Sequence, residues 1–233
     1  MIAGFDPSLT HFGWVILDET KTGKDAVVET GTFVTAPTDG LLVQRLIMQR
    51  ERVRQLLTDR SVQFVSMEAP YWGGYSTELL FALNQFVHEV FLNLKVFVIY
   101  IQPDTLRKIA IPNMNPKEVN KNHMVHQAKT ELDRQGKRLS EHVADAYFAG
   151  KVGHMFFRWY FLKQLTDNDL PEYTREVFCG KHTFVKGDKK GTTEYNGIIY
   201  NENDLFFDYT KQPRNTKSIT QEVGDGRENI DAR

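Results

Sequence analysis

The run from Val62 to Met67 carries no alternation of apolar and polar residues and stops at Glu68. A strand with one wet face alternates, whereas a strand covered on both faces does not. Val62–Met67 therefore reads as a central strand, buried on both sides, and that requires helices above and below a sheet. Few fold classes other than a layered α/β domain satisfy this requirement.

The rest of the chain supplies the layers. Met1–Phe5 and Phe12–Leu17 are short apolar runs separated by the turn chemistry of Pro7-Ser8, and Ala26–Thr35 continues them as a third strand. A meander of three strands is the simple reading. Thr38-Asp39-Gly40 opens a helix in which Leu41, Leu42, Arg45, Leu46, Met48, Gln49, Val53, Leu56 and Leu57 follow a 3.6-residue period. After the central strand come a strongly apolar helix, Thr77–Leu94, and a fifth strand, Val96–Ile101. Pro103 begins a short helix to about Ala110. Pro116 suits the first turn of another, running to about Arg134. Ser140 caps a long helix from Glu141 to about Leu165. Near Pro171 the composition changes, and residues 172–210 hold glycines among β-favouring runs. The expected division is a domain over 1–168, a small β-rich extension over 169–212 and a polar tail over 213–233.

At 233 residues, with 41% hydrophobic and 25% charged residues, the chain is composed like an ordinary globular protein. No apolar stretch is long enough to span a membrane and the N-terminus has no signal-peptide pattern. One cysteine, Cys179, excludes an intrachain disulfide and a multi-thiolate zinc site. A cytoplasmic location follows as the expectation. Net charge is −1, but Asp104–Ser140 holds eight Lys/Arg against four Asp/Glu, together with His123 and His126. That excess suits phosphate contacts, and a solvated helical face would carry the same residues.

Three acids sit where an unpartnered carboxylate is costly. Asp6 ends the first apolar run. Glu68 ends the central one. Asp145 lies within Val143-Ala144-Asp145-Ala146-Tyr147-Phe148, with His142 one helical turn earlier. Singly, Asp6 reads as turn chemistry and Glu68 as the first polar residue after a strand. Together they are a ligand set for a divalent cation. Glu141 projects about a hundred degrees from His142 on an ideal helix and falls outside this set.

The order of these motifs resembles the RuvC-type Holliday junction resolvases of the ribonuclease H-like superfamily. Gly4-Phe5-Asp6-Pro7-Ser8 with Phe12-Gly13-Trp14, Ser66-Met67-Glu68, His142-Val143-Ala144-Asp145-Ala146 and the basic segments around Arg107-Lys108 and His123-Met124-Val125 carry the resemblance. It runs from Met1 to about residue 160. Many relatives have Asp where His142 stands, and others have His. The resemblance implies a mixed five-stranded sheet flanked by helices and a metal-dependent endonuclease that resolves four-way DNA junctions by paired nicks. The products would carry 5′-phosphate and 3′-hydroxyl ends.

Hard carboxylate ligands suit Mg²⁺, with Mn²⁺ as a substitute, and two ions about 4 Å apart would clamp an in-line displacement. Asp6 would bridge them, with Glu68 on one ion and His142 and Asp145 on the other. His142 suits either metal ligation or proton transfer. The resemblance also implies an aromatic wedge near Tyr71, beside Trp72, and phosphate contacts at Arg107, Lys108, Lys117 and Lys121. It further implies a homodimer, and the apolar helix Thr77–Leu94 reads either as core or as its interface. A flap or fork nuclease and a non-catalytic junction binder are the competing readings. The last sixty residues lie outside the resemblance, and a compact resolvase with such a tail suggests a phage or mobile-element version, acting in a host cytoplasm.

Overall fold

A computed structural model describes residues 1–70, 77–133, 136, 138–178, 182–183, 193–194 and 199–200. Strands β1 (Ile2–Asp6), β2 (His11–Leu17) and β3 (Val27–Val34) form the expected antiparallel meander. Helix α1 (Leu42–Asp59) leads to β4 (Phe64–Glu68), and α2 (Thr77–Leu94) leads to β5 (Phe97–Ile101). Both strands lie parallel to β1, giving the order β3-β2-β1-β4-β5. The sheet is thus mixed. A two-residue strand, Ile199–Tyr200, pairs antiparallel with β5 at the far edge. Helices α3 (Pro103–Ala110), α4 (Lys121–Glu131), α5 (Glu141–Tyr160) and α6 (Glu172–Phe178) follow. No helix among the described residues is long and apolar enough to cross a membrane.

Strand alternation sorts the core into two faces. Ala3, Phe5, Phe12, Trp14, Ile16, Val65, Met67 and Val98 pack against α1 and α2. Ile2, Val15, Leu17, Phe64, Ile99 and Ile101 pack against α5, with α3, α4 and α6 around it. β4 is covered on both faces: Phe64, Val65, Ser66 and Met67 are all buried. The absence of alternation in its sequence has that cause.

Helix α5 lies unusually close to the sheet because the residues beneath it are small. A β-carbon on Gly4 would stand 2.3 Å from the Ala146 carbonyl oxygen, and one on Gly153 would stand 2.4 Å from Ser66 Cβ. Real side chains do not tolerate such distances. The helix therefore crosses β2 and β1 in backbone contact and packs closely on the Ser66 side chain of β4.

Several boundaries differ from those expected. α1 begins at Leu42 rather than at Thr38, which lies in a 3₁₀ turn, Pro37–Asp39. α4 begins at Lys121, not at Pro116. Asn115 folds its own turn, with its side chain accepting from Lys117 N–H and its carbonyl from Glu118 N–H, and Asn120 then caps the helix by accepting from His123 N–H. α5 ends at Tyr160 rather than near Leu165: Lys163 takes a left-handed φ of 52° and Gln164 N–H closes onto the Arg158 carbonyl. The β-favouring composition after Pro171 hides α6, whose Val177 and Phe178 are buried in the same core as Phe156.

Candidate metal and nucleic-acid site

Asp6 is in phase with Ile2 and Gly4 on β1, and Glu68 with Phe64 and Ser66 on β4, so both carboxylates emerge on the face that α5 covers. The parallel register, Phe5 beside Met67, sets Asp6 next to Glu68 at the C-terminal ends of adjacent strands. The first turn of α5 lies above them. Ser140 caps that turn by accepting from Val143 N–H at 3.2 Å, which directs His142 and Asp145 toward the strand ends. His142 Nδ1 stands 2.7 Å from Asp6 Oδ2, joining residues 136 positions apart. Asp6 and His142 are in contact, and Glu68 and Asp145 lie near enough to one another and to Asp6 for their charges to interact.

Their protonation records the crowding. Burial pushes Asp145 up to about 7, helped by the charge of Asp6. Burial raises Glu68 well above the ordinary carboxylate range, and Asp6 and Asp145 push it further. Asp6 is also raised by burial, against the opposing hydrogen bond from His142. The Asp6 hydrogen bond in turn raises His142. Crowding of like charges in a poorly solvated place favours the protonated forms, and a bound cation would reverse that preference. Among the described residues no three His, Cys, Asp or Glu side chains are drawn together tightly enough to form a finished cation cage. The donors nevertheless fit a hard divalent ion: three carboxylates and an imidazole, at odds with one another until positive charge arrives.

The basic residues divide. Lys121 and Arg107 bear on the acids, since the charges of both act to lower Glu68 and Asp145. Lys108 turns away and donates to the Pro112 carbonyl. Lys117 is exposed on the turn before α4. Tyr71 and Trp72 lie outside the described residues. The His123 ring nitrogen accepts from Asn120 N–H in the capping box of α4.

Two residues join the site beyond the expected set: Glu141, which helix phase had placed outside it and whose flexible side chain reaches back, and His11, which the sequence did not single out. Glu141 Oε1 is 3.6 Å from His142 Nε2 and 2.6 Å from Lys121 Nζ. His11, at the start of β2, lies parallel to the His142 ring, with centroids 5.6 Å apart and planes 3° from coplanar in direction. His11 was legible in principle: it is in phase with Gly13 on β2, and Gly13 pairs with Asp6.

No protein-family model matches the chain, and no curated protein matches it in sequence. Its structure is nevertheless similar to solved ones. The RuvC of Thermus thermophilus, solved in complex with a Holliday junction substrate, superposes with a TM-score of 0.55 at 17% identity, over 69% of this chain and 95% of that one. A second structure of Thermus thermophilus RuvC gives 0.54 at 19% identity, over 68% and 95%. The fold is RuvC-type. The resemblance carried by four short motifs is thus matched by the architecture. At this identity the likeness concerns the fold, and the RuvC-type sheet accounts for why strand ends and a final helix meet at one place.

Proposed function

We propose that this chain is a metal-dependent endodeoxyribonuclease that acts on branched DNA, four-way junctions foremost. The observation that carries the reading is the convergence of Asp6, Glu68, His142 and Asp145 at one end of a RuvC-type sheet. A RuvC of this fold has been solved with a Holliday junction, which supports the same substrate class here.

Asp6, Glu68, His142 and Asp145 would hold Mg²⁺, or Mn²⁺ in its place, and two bound ions would supply an activated water and neutralise the leaving 3′ oxygen. Asp6, on the middle strand and in hydrogen-bond contact with His142, would be the ligand shared by the two ions. Glu68 and Asp145 flank it. Lys121 and Arg107, at the edge of the acids, would offer positive charge to a phosphodiester. The products would be nicks with 5′-phosphate and 3′-hydroxyl ends. Leu79, Leu92 and Leu94 on α2 are exposed. They support a homodimer through this helix, with two sites cutting symmetry-related strands. Tyr71 and Trp72 are proposed to meet the bases at the junction centre.

The test is cleavage of a labelled four-way junction beside duplex, fork and flap, with Mg²⁺ or with chelator, for wild type and Asp6→Asn. Paired, metal-dependent nicks confined to the junction and lost in Asp6→Asn, with binding retained, are expected. Equal cutting of forks and flaps would transfer the chain to a broader structure-selective nuclease. Tight binding without any cut would leave a junction-binding protein.

A further inference from the structure

Two helices begin side by side at the mouth of the acid cluster. Asn120 caps α4 and Ser140 caps α5, so Lys121 and Glu141 each take the first helical position. Across the gap Lys121 Nζ donates to Glu141 Oε1 at 2.6 Å. Each residue is poorly placed by itself. The N-terminal end of a helix carries partial positive charge, which disfavours a lysine there. Glu141 adds a fourth carboxylate to a site already short of positive charge, and it raises Asp6 further. The pair resolves both misplacements at once.

Fold stability is a poor account of this pair. The Lys121 side chain is 68% exposed and that of Glu141 37%, and exposed ion pairs contribute little. Position is the better account. Glu141 Oε1 also approaches His142 Nε2 at 3.6 Å, and His142 Nδ1 reaches Asp6 at 2.7 Å. One line of groups therefore runs inward from solvent: Lys121, Glu141, His142, Asp6. The Lys121 charge is felt by Asp6, Glu68 and Asp145 alike. An untethered ammonium on a four-carbon stem would fall into that field and compete with a divalent cation for the carboxylates.

We propose that Glu141 is a positioning residue that tethers the Lys121 ammonium at the rim of the acid cluster, out of the cation's place and turned toward an incoming DNA phosphate. The inference rests on the nuclease reading above and deepens it. Glu141 acts through Lys121, so its effect disappears when Lys121 is neutral.

The experiment is a Mg²⁺ titration of the DNA-free protein by thermal melting, alongside junction cleavage. It uses wild type, Glu141→Gln, Glu141→Asp, Lys121→Gln and the double variant Glu141→Gln/Lys121→Gln. Glu141→Gln is expected to raise the Mg²⁺ midpoint about fivefold, and the double variant to return within about twofold of Lys121→Gln, as coupled residues do. Glu141→Asp keeps the tether and stays near wild type. A Glu141→Gln effect of the same size in the presence and absence of Lys121 overturns the inference, because Glu141 would then act by its own charge or as a ligand. No effect of Glu141→Gln overturns it equally. In either case a wild type that responds to Mg²⁺ and cuts leaves the nuclease reading standing. A wild type that neither responds nor cuts removes that reading and this inference with it.

Discussion

A β-carbon on Gly13 would stand 2.0 Å from the backbone carbonyl oxygen of His142. Gly13 also pairs directly with Asp6 across β1 and β2. The missing side chain of one residue thus sets how closely the first turn of α5 approaches the first acid.

Gly13→Ala should therefore act on the site before it acts on the fold. The first turn of α5 is an end and can lift, at a cost of roughly 1–3 kcal/mol for overpacking. We expect a cooperative melt at lower temperature, with the Mg²⁺-dependent stabilisation and the cleavage both lost. A variant that melts like wild type and still responds to Mg²⁺ would contradict the role given to this contact.

Asp145 should make the metal-free protein less stable as pH rises. Its carboxyl is raised from 3.8 to about 7 by burial and by Asp6, so the unfolded chain releases a proton that the folded chain retains. Stability from this group falls between those two values and is level above them. Asp145→Asn should remove that fall and stabilise the metal-free protein by roughly 1–3 kcal/mol at pH 8. Mg²⁺ should stabilise wild type more at pH 8 than at pH 5.5 and Asp145→Asn little at either. Denaturant melts with and without chelator measure all of this.

Glu131 should have the opposite pH signature. Burial alone would raise it, but hydrogen bonds from Lys151, Gln127 and Tyr147, with the charge of Lys151, hold it below 4.5. Its contribution is present above about pH 4.5 and is lost as acid protonates the folded carboxylate. Glu131→Gln should cost about 1–2 kcal/mol at pH 7 by loosening α4 from α5. The cost should shrink toward pH 3, and a cost independent of pH would count against the ion pair.

Tyr71→Ala should reduce junction cleavage more than Mg²⁺ binding. Stacking on one base is worth about 1–3 kcal/mol, or roughly five- to a hundredfold in the apparent junction constant. Equal loss of junction cleavage and of the metal-induced thermal shift would remove the wedge assignment.

Much of the site was legible because strand alternation is strict. Once Met1–Phe5 and Val62–Met67 are strands, the residues after them, Asp6 and Glu68, have fixed faces. Ser140 as a cap fixes the start of α5 and with it the phase of His142 and Asp145. Other features depend on partners distant in sequence. An ideal helix turns Glu141 away from His142, yet its side chain reaches back because Lys121 and His142 both draw it. Pro116 suits a helix start, but Asn115 supplies a competing turn and Val119 is buried in the core under the later helix. Glycine spacing gave no hint that Gly4 and Gly150 touch, because that contact exists only when α5 is laid across β1.

The junction of Asp6 with His142 spans 136 positions of chain. A chain ending at β5 carries both strand acids but not the helix that covers them. The proposed cation site is completed only by a later segment, where the α5 backbone lies against Gly13 and Gly4. Copies ending before His142 would lack two of the four proposed ligands, and with them the proposed activity.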